Sequence, residues 1–216
     1  ATPFSSYRRG AFTMHVLGIS GTPRAGGNSD ILLAHALEPF AQAGWEVEHV
    51  RLCDMTVAPC RGCDACRREG ACVVDDDMAI LYDAFSRCDA LIISSPVYYR
   101  NVSASLLAVM QRHYGISLRE PLRGVAGGAI AVGRGTGGGQ AMVLNVIYTW
   151  MLSCGMICVP GELNGVTAVA DAPGDILAQP KRLEQAAILG ENVLHVARAC
   201  APLRHEGGRF ARPAQG

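Results

Sequence analysis

"MHVLGISGTPRAGGNSDILLAHALEPFAQAG" (residues 14–44) is the stretch that decides the fold. Its first seven residues form a nearly continuous apolar run, as in a strand covered on both faces. Residues 21–29 then turn rich in glycine and polar side chains, which is loop chemistry. Apolar residues return at helical spacing after Asp30, with Leu33, Leu37, Phe40 and Ala41 on one face and Gly44 as the stop. Pro39 is expected to distort the last turns. A buried strand that passes through a short polar loop into a helix is the first half of a βαβ unit, and it predicts a parallel sheet.

The alternation repeats outward from there. Residues 45–52, 89–95, 125–133 and 155–160 read as four further strands, the first of them near an edge because Glu46 and Glu48 interrupt it. Leu81, Ala84, Phe85 and Cys88 mark a helix face that Asp76 or Asp77 can cap. Ser103 can cap a helix carrying Leu106, Leu107, Met110 and Tyr114. Met142, Val143, Ile147 and Met151 lie on another helix, and residues 179–200 form the last, with Pro180 in its first turn. Five βα units predict an α/β fold: a doubly wound, five-stranded parallel sheet with a cysteine-rich insertion, 53–75, after strand 2. The expected organisation is a leader or arm over 1–13, one domain over 14–200 and a polar tail over 201–216. Ligands of such sheets bind beyond the carboxyl ends of the strands, so loops 20–29, 53–75, 96–103 and 133–140 are expected to open at one edge.

Bulk properties narrow the function. The chain has 216 residues, half of them hydrophobic, 18% charged and with zero net charge, which argues for a globular domain without a nucleic-acid footprint. No apolar run reaches the roughly 18 residues of a membrane span. Residues 1–13 lack the apolar core of a signal peptide. The nine cysteines are an odd number, and together these features predict a cytoplasmic chain with reduced thiols.

The first loop has phosphate chemistry. A helix N-terminus supplies N–H groups and the positive end of a dipole. Ser20, Thr22, Asn28 and Ser29 add polar donors, Arg24 adds a planar cation, and Gly26 and Gly27 let the backbone curl. The alternative is an ordinary turn with a Ser or Asn cap. In the third loop, "SPVYYRNVS", Tyr98 and Tyr99 could flank a planar ring, with Val97 and Asn101 alongside; paired tyrosines also serve as plain packing. The fourth loop contains a literal G-x-G-x-x-G from Gly133 to Gly138, with Glu162 after the next strand. That pattern resembles a dinucleotide fingerprint, but the phosphate features are better in the first loop, so Gly135, Gly137 and Gly138 read as allowing close approach of a flat ligand. No Ser/His/Asp constellation is present, and His113 and His205 read as core or surface residues.

Cys60, Cys63, Cys66 and Cys72 form C-x2-C-x2-C-x5-C. Successive x2 spacings let one peptide wrap a corner of an iron–sulfur cubane. Zinc more often takes two CxxC pairs set farther apart, and disulfides need an oxidising compartment. The spacing favours an iron–sulfur centre and leaves zinc, or no metal, as alternatives. Cys53, Cys88, Cys154, Cys158 and Cys200 lack such spacing and read as core packing.

Taken in order, "SGTPRAGGNS", "CRGCDACRREGACVVDDDM" and "SPVYYRNVSASL" resemble the iron–sulfur flavoproteins, members of the flavodoxin-like NADPH-dependent FMN reductase superfamily. The likeness runs from Met14 to about Cys200. It implies a flavodoxin-like fold, an FMN and a 4Fe–4S cluster, and a homodimer or tetramer. It implies that Ser20, Thr22, Arg24, Asn28 and Ser29 hold the FMN phosphate, and that Pro96, Val97, Tyr98, Tyr99 and Asn101, helped by Gly135 and Gly138, hold the isoalloxazine. It further implies an FMN-dependent oxidoreductase that moves electrons between a donor such as ferredoxin or NAD(P)H and an acceptor, with the cluster of one subunit near the FMN of its neighbour. The alternatives are an NAD(P)H-dependent reductase of flavin, quinones or nitro compounds with an idle metal site, and a redox sensor.

Overall fold

The computed structural model describes residues 13–205, so the expected arm, apart from Thr13, and the tail beyond His205 lie outside the described residues. Strand β1 (His15–Ser20) lies between β2 (Glu46–Arg51) and β3 (Ala90–Pro96), and β4 (Ala126–Gly133) lies beyond β3, all parallel. The order is β2-β1-β3-β4-β5, so the chain reverses direction across the sheet between β1 and β3, and this is the switch point. Strands β3 and β4 are buried along nearly their whole length, while β2 is a half-exposed edge.

The expected fifth strand is divided. β5 (Ile157–Cys158) pairs with Ala126–Gly127, the chain leaves the sheet, and β6 (Val166–Val169) resumes against Ile130–Gly133. Re-entry needs Gly165, whose φ is +147° and where a Cβ would lie 2.8 Å from the Ala129 carbonyl oxygen.

Helices α1 (Asn28–Gln42) and α6 (Pro180–His205) cover one face, where Leu33, Phe40, Leu189 and Val193 pack with Val16, Ile92 and Ile130. They approach so closely that a Cβ at Gly190 would run into the Ala36 carbonyl. Helix α6 continues past Cys200, with Pro202 inside it. Helix α1 also carries Pro39 through to Gln42. The other face is covered by α3 (Met78–Arg87), α4 (Ala104–Arg112) and α5 (Gly139–Ser153), through Leu81, Phe85, Leu106, Val143 and Ile147. The short α2 (Ala65–Glu69) lies within the cysteine loop. Among the described residues, no helix is long and apolar enough to cross a membrane.

Candidate functional site

Three of the four loops converge at the switch point. Gly21 N–H donates to Ser94 O at 2.8 Å, joining the ends of β1 and β3. A Cβ at Gly21 would press on Ser103 Oγ and Ser94 O, both at 3.1 Å. Val97 N–H donates to Val132 O at 2.8 Å, and a Cβ at Gly139 would collide with Val97 at 2.6 Å, so the loops after β3 and β4 also touch. Ser20, Thr22 and Ser29 are buried in this wall, and Arg24 is exposed at its rim. Ser94 Oγ is buried without a partner, and Ser20 Oγ lies near the Asp30 carboxylate without a hydrogen bond of good geometry.

The first loop is pre-shaped from within. Thr22 Oγ1 accepts from Arg24 N–H at 3.3 Å, and Gly26 (φ +66°) donates its N–H to Asp30 Oδ2 at 3.0 Å. Asp30 also bonds His49 Nε2 at 2.8 Å. Burial alone would push the Asp30 carboxyl up, but the His49 and Gly26 contacts outweigh it and hold the group below the usual carboxylate range. The Asn28 side chain serves another purpose than the sequence suggests: its amide donates to Ala172 O at 2.8 Å and accepts from the N–H groups of Gly174 and Ile176 at 3.0 and 3.2 Å. It fastens the first loop to the segment after β6, and its backbone opens α1.

The third loop ends in a tight turn. Tyr98 and Asn101 exchange both backbone hydrogen bonds at 2.9 Å, and Tyr99 and Arg100 take left-handed φ of 49° and 63°. Two successive left-handed residues without glycine are unusual and store strain, which raises the functional weight of the turn. It holds the Tyr99 ring out in solvent, with Tyr98 half-exposed. Pro96 and Val97 form the half-buried base of the turn. Gly135 and Gly138 stand on the open side of the fourth loop, with no atom within 4 Å of a Cβ placed at either, and Gly138 needs its glycine for a φ of +79°. Gln140, which sequence reading missed, braces that loop by donating to Gly135 O at 2.8 Å, and Arg134 pairs with Asp171 at 2.6 Å across to the segment after β6.

The cysteine loop departs from the expected arrangement. It leaves the end of β2, but its pocket lies at the far end of α4, beside Arg112 and Tyr114. Ser103 caps α4 beside the loops after β1 and β3, so the nine-residue helix, about 13 Å long, separates the two regions. Cys60, Cys63, Cys66 and Cys72 all line this one pocket, and all nine cysteines of the chain are free thiols. Left-handed backbone at Gly62, Asp64 and Gly70 curls the loop around it, and Gly62 N–H reaches Cys60 Sγ at 3.5 Å. Among the described residues, no three His, Cys, Asp or Glu side chains are drawn together as ligands of a single metal ion. Burial pushes the Cys72 thiol up, but Val74 N–H and the neighbouring Tyr82 and Arg112 side chains outweigh it and hold its pKa below the ordinary thiol value.

Arginines hold the loop in place. Arg112, 2% exposed, pairs with both Asp76 oxygens at 2.7 and 3.1 Å and donates to Ala58 O and Val74 O at 3.0 and 3.4 Å, clamping both ends of the loop. Arg67 lies 4.0 Å over the Tyr114 ring, Arg68 donates to Cys63 O at 3.0 Å, and Arg119 donates to Gly70 O at 3.1 Å. Of the remaining cysteines, Cys88 is buried with its thiol pushed up to about 12 by desolvation, and Cys53, Cys154, Cys158 and Cys200 are half-buried. His113 is a core residue, as expected, packed edge-on to Phe85 and Trp150. The His205 side chain lies outside the described residues.

A doubly wound parallel sheet with a phosphate-type loop at its switch point, ringed by an aromatic turn and an open glycine loop, defines a flavodoxin-like fold. The family model for NADPH-dependent FMN reductase matches residues 14–169, and the chain belongs to that family. An iron-sulfur flavoprotein of Methanocaldococcus jannaschii is 38% identical over 189 residues, covering 86% of this chain and 98% of that protein. The iron-sulfur flavoprotein of Methanosarcina thermophila is 38% identical over 159 residues, covering 71% and 82%. Among solved structures, RosB with a bound formylated riboflavin-5'-phosphate intermediate aligns with a TM-score of 0.67 at 16% identity, over 94% of this chain and 91% of that one, which supports the fold. The chain is accordingly an FMN-dependent oxidoreductase.

Proposed function

We propose that this chain is an iron–sulfur flavoprotein that passes electrons between a one-electron donor such as ferredoxin, or NAD(P)H, and an acceptor. The observation that carries the reading is the gathering of Cys60, Cys63, Cys66 and Cys72 around one pocket in a chain that also has the flavin-type loops. Thiols spread around a pocket wall suit a 4Fe–4S cluster, whose four ligands stand at separate corners. FMN exchanges one or two electrons and the cluster exchanges one, so together they convert between the two kinds of partner.

The chain's own residues do the rest. Ser20, Thr22, Arg24 and Ser29, with the backbone of Asn28, would hold the FMN phosphate at the N-terminus of α1. Pro96, Val97, Tyr98, Tyr99 and Asn101 would bound the isoalloxazine, and Gly135 and Gly138 leave room beside it. Because α4 holds the two regions apart within a chain, a homodimer, alone or paired into a tetramer, that brings the 53–75 loop against a neighbour's flavin loops is part of the proposal.

Anaerobic purification with iron, sulfide and FMN counted per chain tests it. Iron and sulfide are expected at about four each per FMN. Cys63→Ser should lose most of the iron and keep its FMN; unchanged iron in that variant would sink the cluster assignment. The family match favours one other reading, a two-electron NAD(P)H-dependent reductase with an idle metal site. A yellow protein that turns over NADPH rapidly without iron would establish that reading instead.

A further inference from the structure

The largest fully buried side chain among the described residues belongs to a cation, Arg112. Its two terminal nitrogens are fully used: Nη1 donates to Ala58 O and Asp76 Oδ2, and Nη2 to Val74 O and Asp76 Oδ1. The fifth donor, Nε–H, is buried and makes no hydrogen bond. A buried charged donor left without an acceptor is costly and calls for an explanation. The clamp uses the four terminal N–H bonds and offers Nε–H no acceptor.

The pocket supplies it. Arg112 lines the same wall as the four cysteines, and its guanidinium lies within electrostatic reach of Cys72. A neutral thiol is a weak acceptor. A thiolate bound to a metal centre carries charge and is a strong one. Tyr82, the other side chain beside Cys72 and the guanidinium, gives its hydroxyl proton to Arg112 O at 2.8 Å, and its neutral oxygen is a weaker acceptor for Nε–H than a thiolate.

We propose that Arg112 Nε–H is the hydrogen-bond donor to the Cys72 thiolate when the four-cysteine pocket holds its redox centre, and that this contact makes the centre easier to reduce. The proposal rests on the iron–sulfur reading above. Reduction adds one negative charge to the centre and its thiolates, and a cationic donor favours the more negative state. Asp76, on the other edge of the guanidinium, has the opposite charge and works against it.

The test is an EPR-monitored redox titration of wild type, Arg112→Lys and Asp76→Asn, purified anaerobically with iron counted in each. Lysine keeps the charge but has no donor at the Nε position. At a fixed potential its ratio of reduced to oxidised cluster should fall about tenfold, which is about 59 mV for a one-electron couple. Asp76→Asn removes the opposing charge and keeps Nε–H, so its ratio should rise. The fall in Arg112→Lys at constant charge is the signature of the contact, since a purely structural clamp would move iron content there and leave the potential unchanged; the rise in Asp76→Asn reports the charge on the guanidinium's other edge. If Arg112→Lys fails to hold iron, pulsed EPR of the reduced wild type carrying nitrogen-15-labelled arginine decides: a nitrogen coupling to the cluster supports the contact, and its absence overturns it. Iron retained with unmoved potentials overturns the Arg112 contact and leaves the iron–sulfur reading standing. A wild type without iron overturns that reading and this proposal with it.

Discussion

At the N-terminal end of α4 the chain is held mostly by its own backbone, braced by Asn28, Gln140 and Arg134; at the C-terminal end it is held mostly by arginines. The loops after β1, β3 and β4 are stitched by main-chain bonds such as Gly21 to Ser94 and Val97 to Val132, and by glycines that let loops touch. The cysteine loop has only the short α2 and is fixed by Arg67, Arg68, Arg112 and Arg119. The first region grows directly out of the strand ends of the sheet. The second is an insertion that needed its own fastening. The difference implies that the two regions fail independently.

The largest break in that comparison is Arg112→Ala. It leaves the Asp76 carboxylate, 7% exposed, with no cation, and frees Ala58 O and Val74 O. Removing one partner of a buried pair costs about 3–5 kcal/mol. Denaturant unfolding should show a loss of that size, and iron should be lost while FMN stays bound. A variant that keeps its iron and loses FMN would mean that the two ends of α4 are not separate units.

Acid should divide the regions by pH. Burial pushes the His113 pKa down to about 4, so the folded state keeps the ring neutral. Above an unfolded value of about 6.5 both states are neutral and stability is complete. As pH falls from there toward 4, the unfolded chain takes a proton that the folded chain refuses, and stability drops by up to about 1.4 kcal/mol per unit, about 3 kcal/mol in all. On the flavin side, Asp30 has a depressed pKa, so its contribution is present above its ordinary value of 3.8 and is lost only as pH falls through the lower folded value. Regional hydrogen exchange between pH 7 and about 3.5 should therefore show residues 110–119 loosening first. His113→Phe should remove the upper limb of the stability curve. An unchanged curve in that variant would assign the acid sensitivity elsewhere.

The asymmetry also explains what the sequence revealed. The β1–loop–α1 unit was legible because strand, loop and helix periods follow one another without interruption between Met14 and Gly44. The four cysteines were legible because their spacing is local. Arg112 was not: an arginine in the last turn of a helix reads as a dipole-capping surface cation, and only the folded loop reveals its burial. The position of the cysteine pocket was missed for the same reason, since strand order sets where a loop starts and its side chains set where it ends. The divided fifth strand went unread because residues 155–160 look like one run, although "NGVTAV" (164–169) carries a turn followed by β-branched residues. Asn28 has the residue type of a phosphate ligand, yet its amide is spent on the distant segment 172–176, a use no local pattern encodes.

The smallest expected effect sharpens the comparison from the flavin side. Arg24 is exposed at the rim of the first loop, and its backbone N–H, not its side chain, is what bonds Thr22 Oγ1. Truncating the side chain should therefore leave the loop's shape and the protein's unfolding midpoint unchanged. What Arg24→Ala removes is a charge-assisted contact to the phosphate, worth roughly 1.5–3 kcal/mol. That corresponds to about a ten- to hundredfold loss of FMN affinity, measurable by flavin fluorescence on titration into apoprotein. Iron content should not change, because the cysteine pocket lies beyond the length of α4. Wild-type FMN affinity in the variant would move the phosphate away from this loop, and a parallel loss of iron would show that the backbone-built and arginine-built regions are coupled after all.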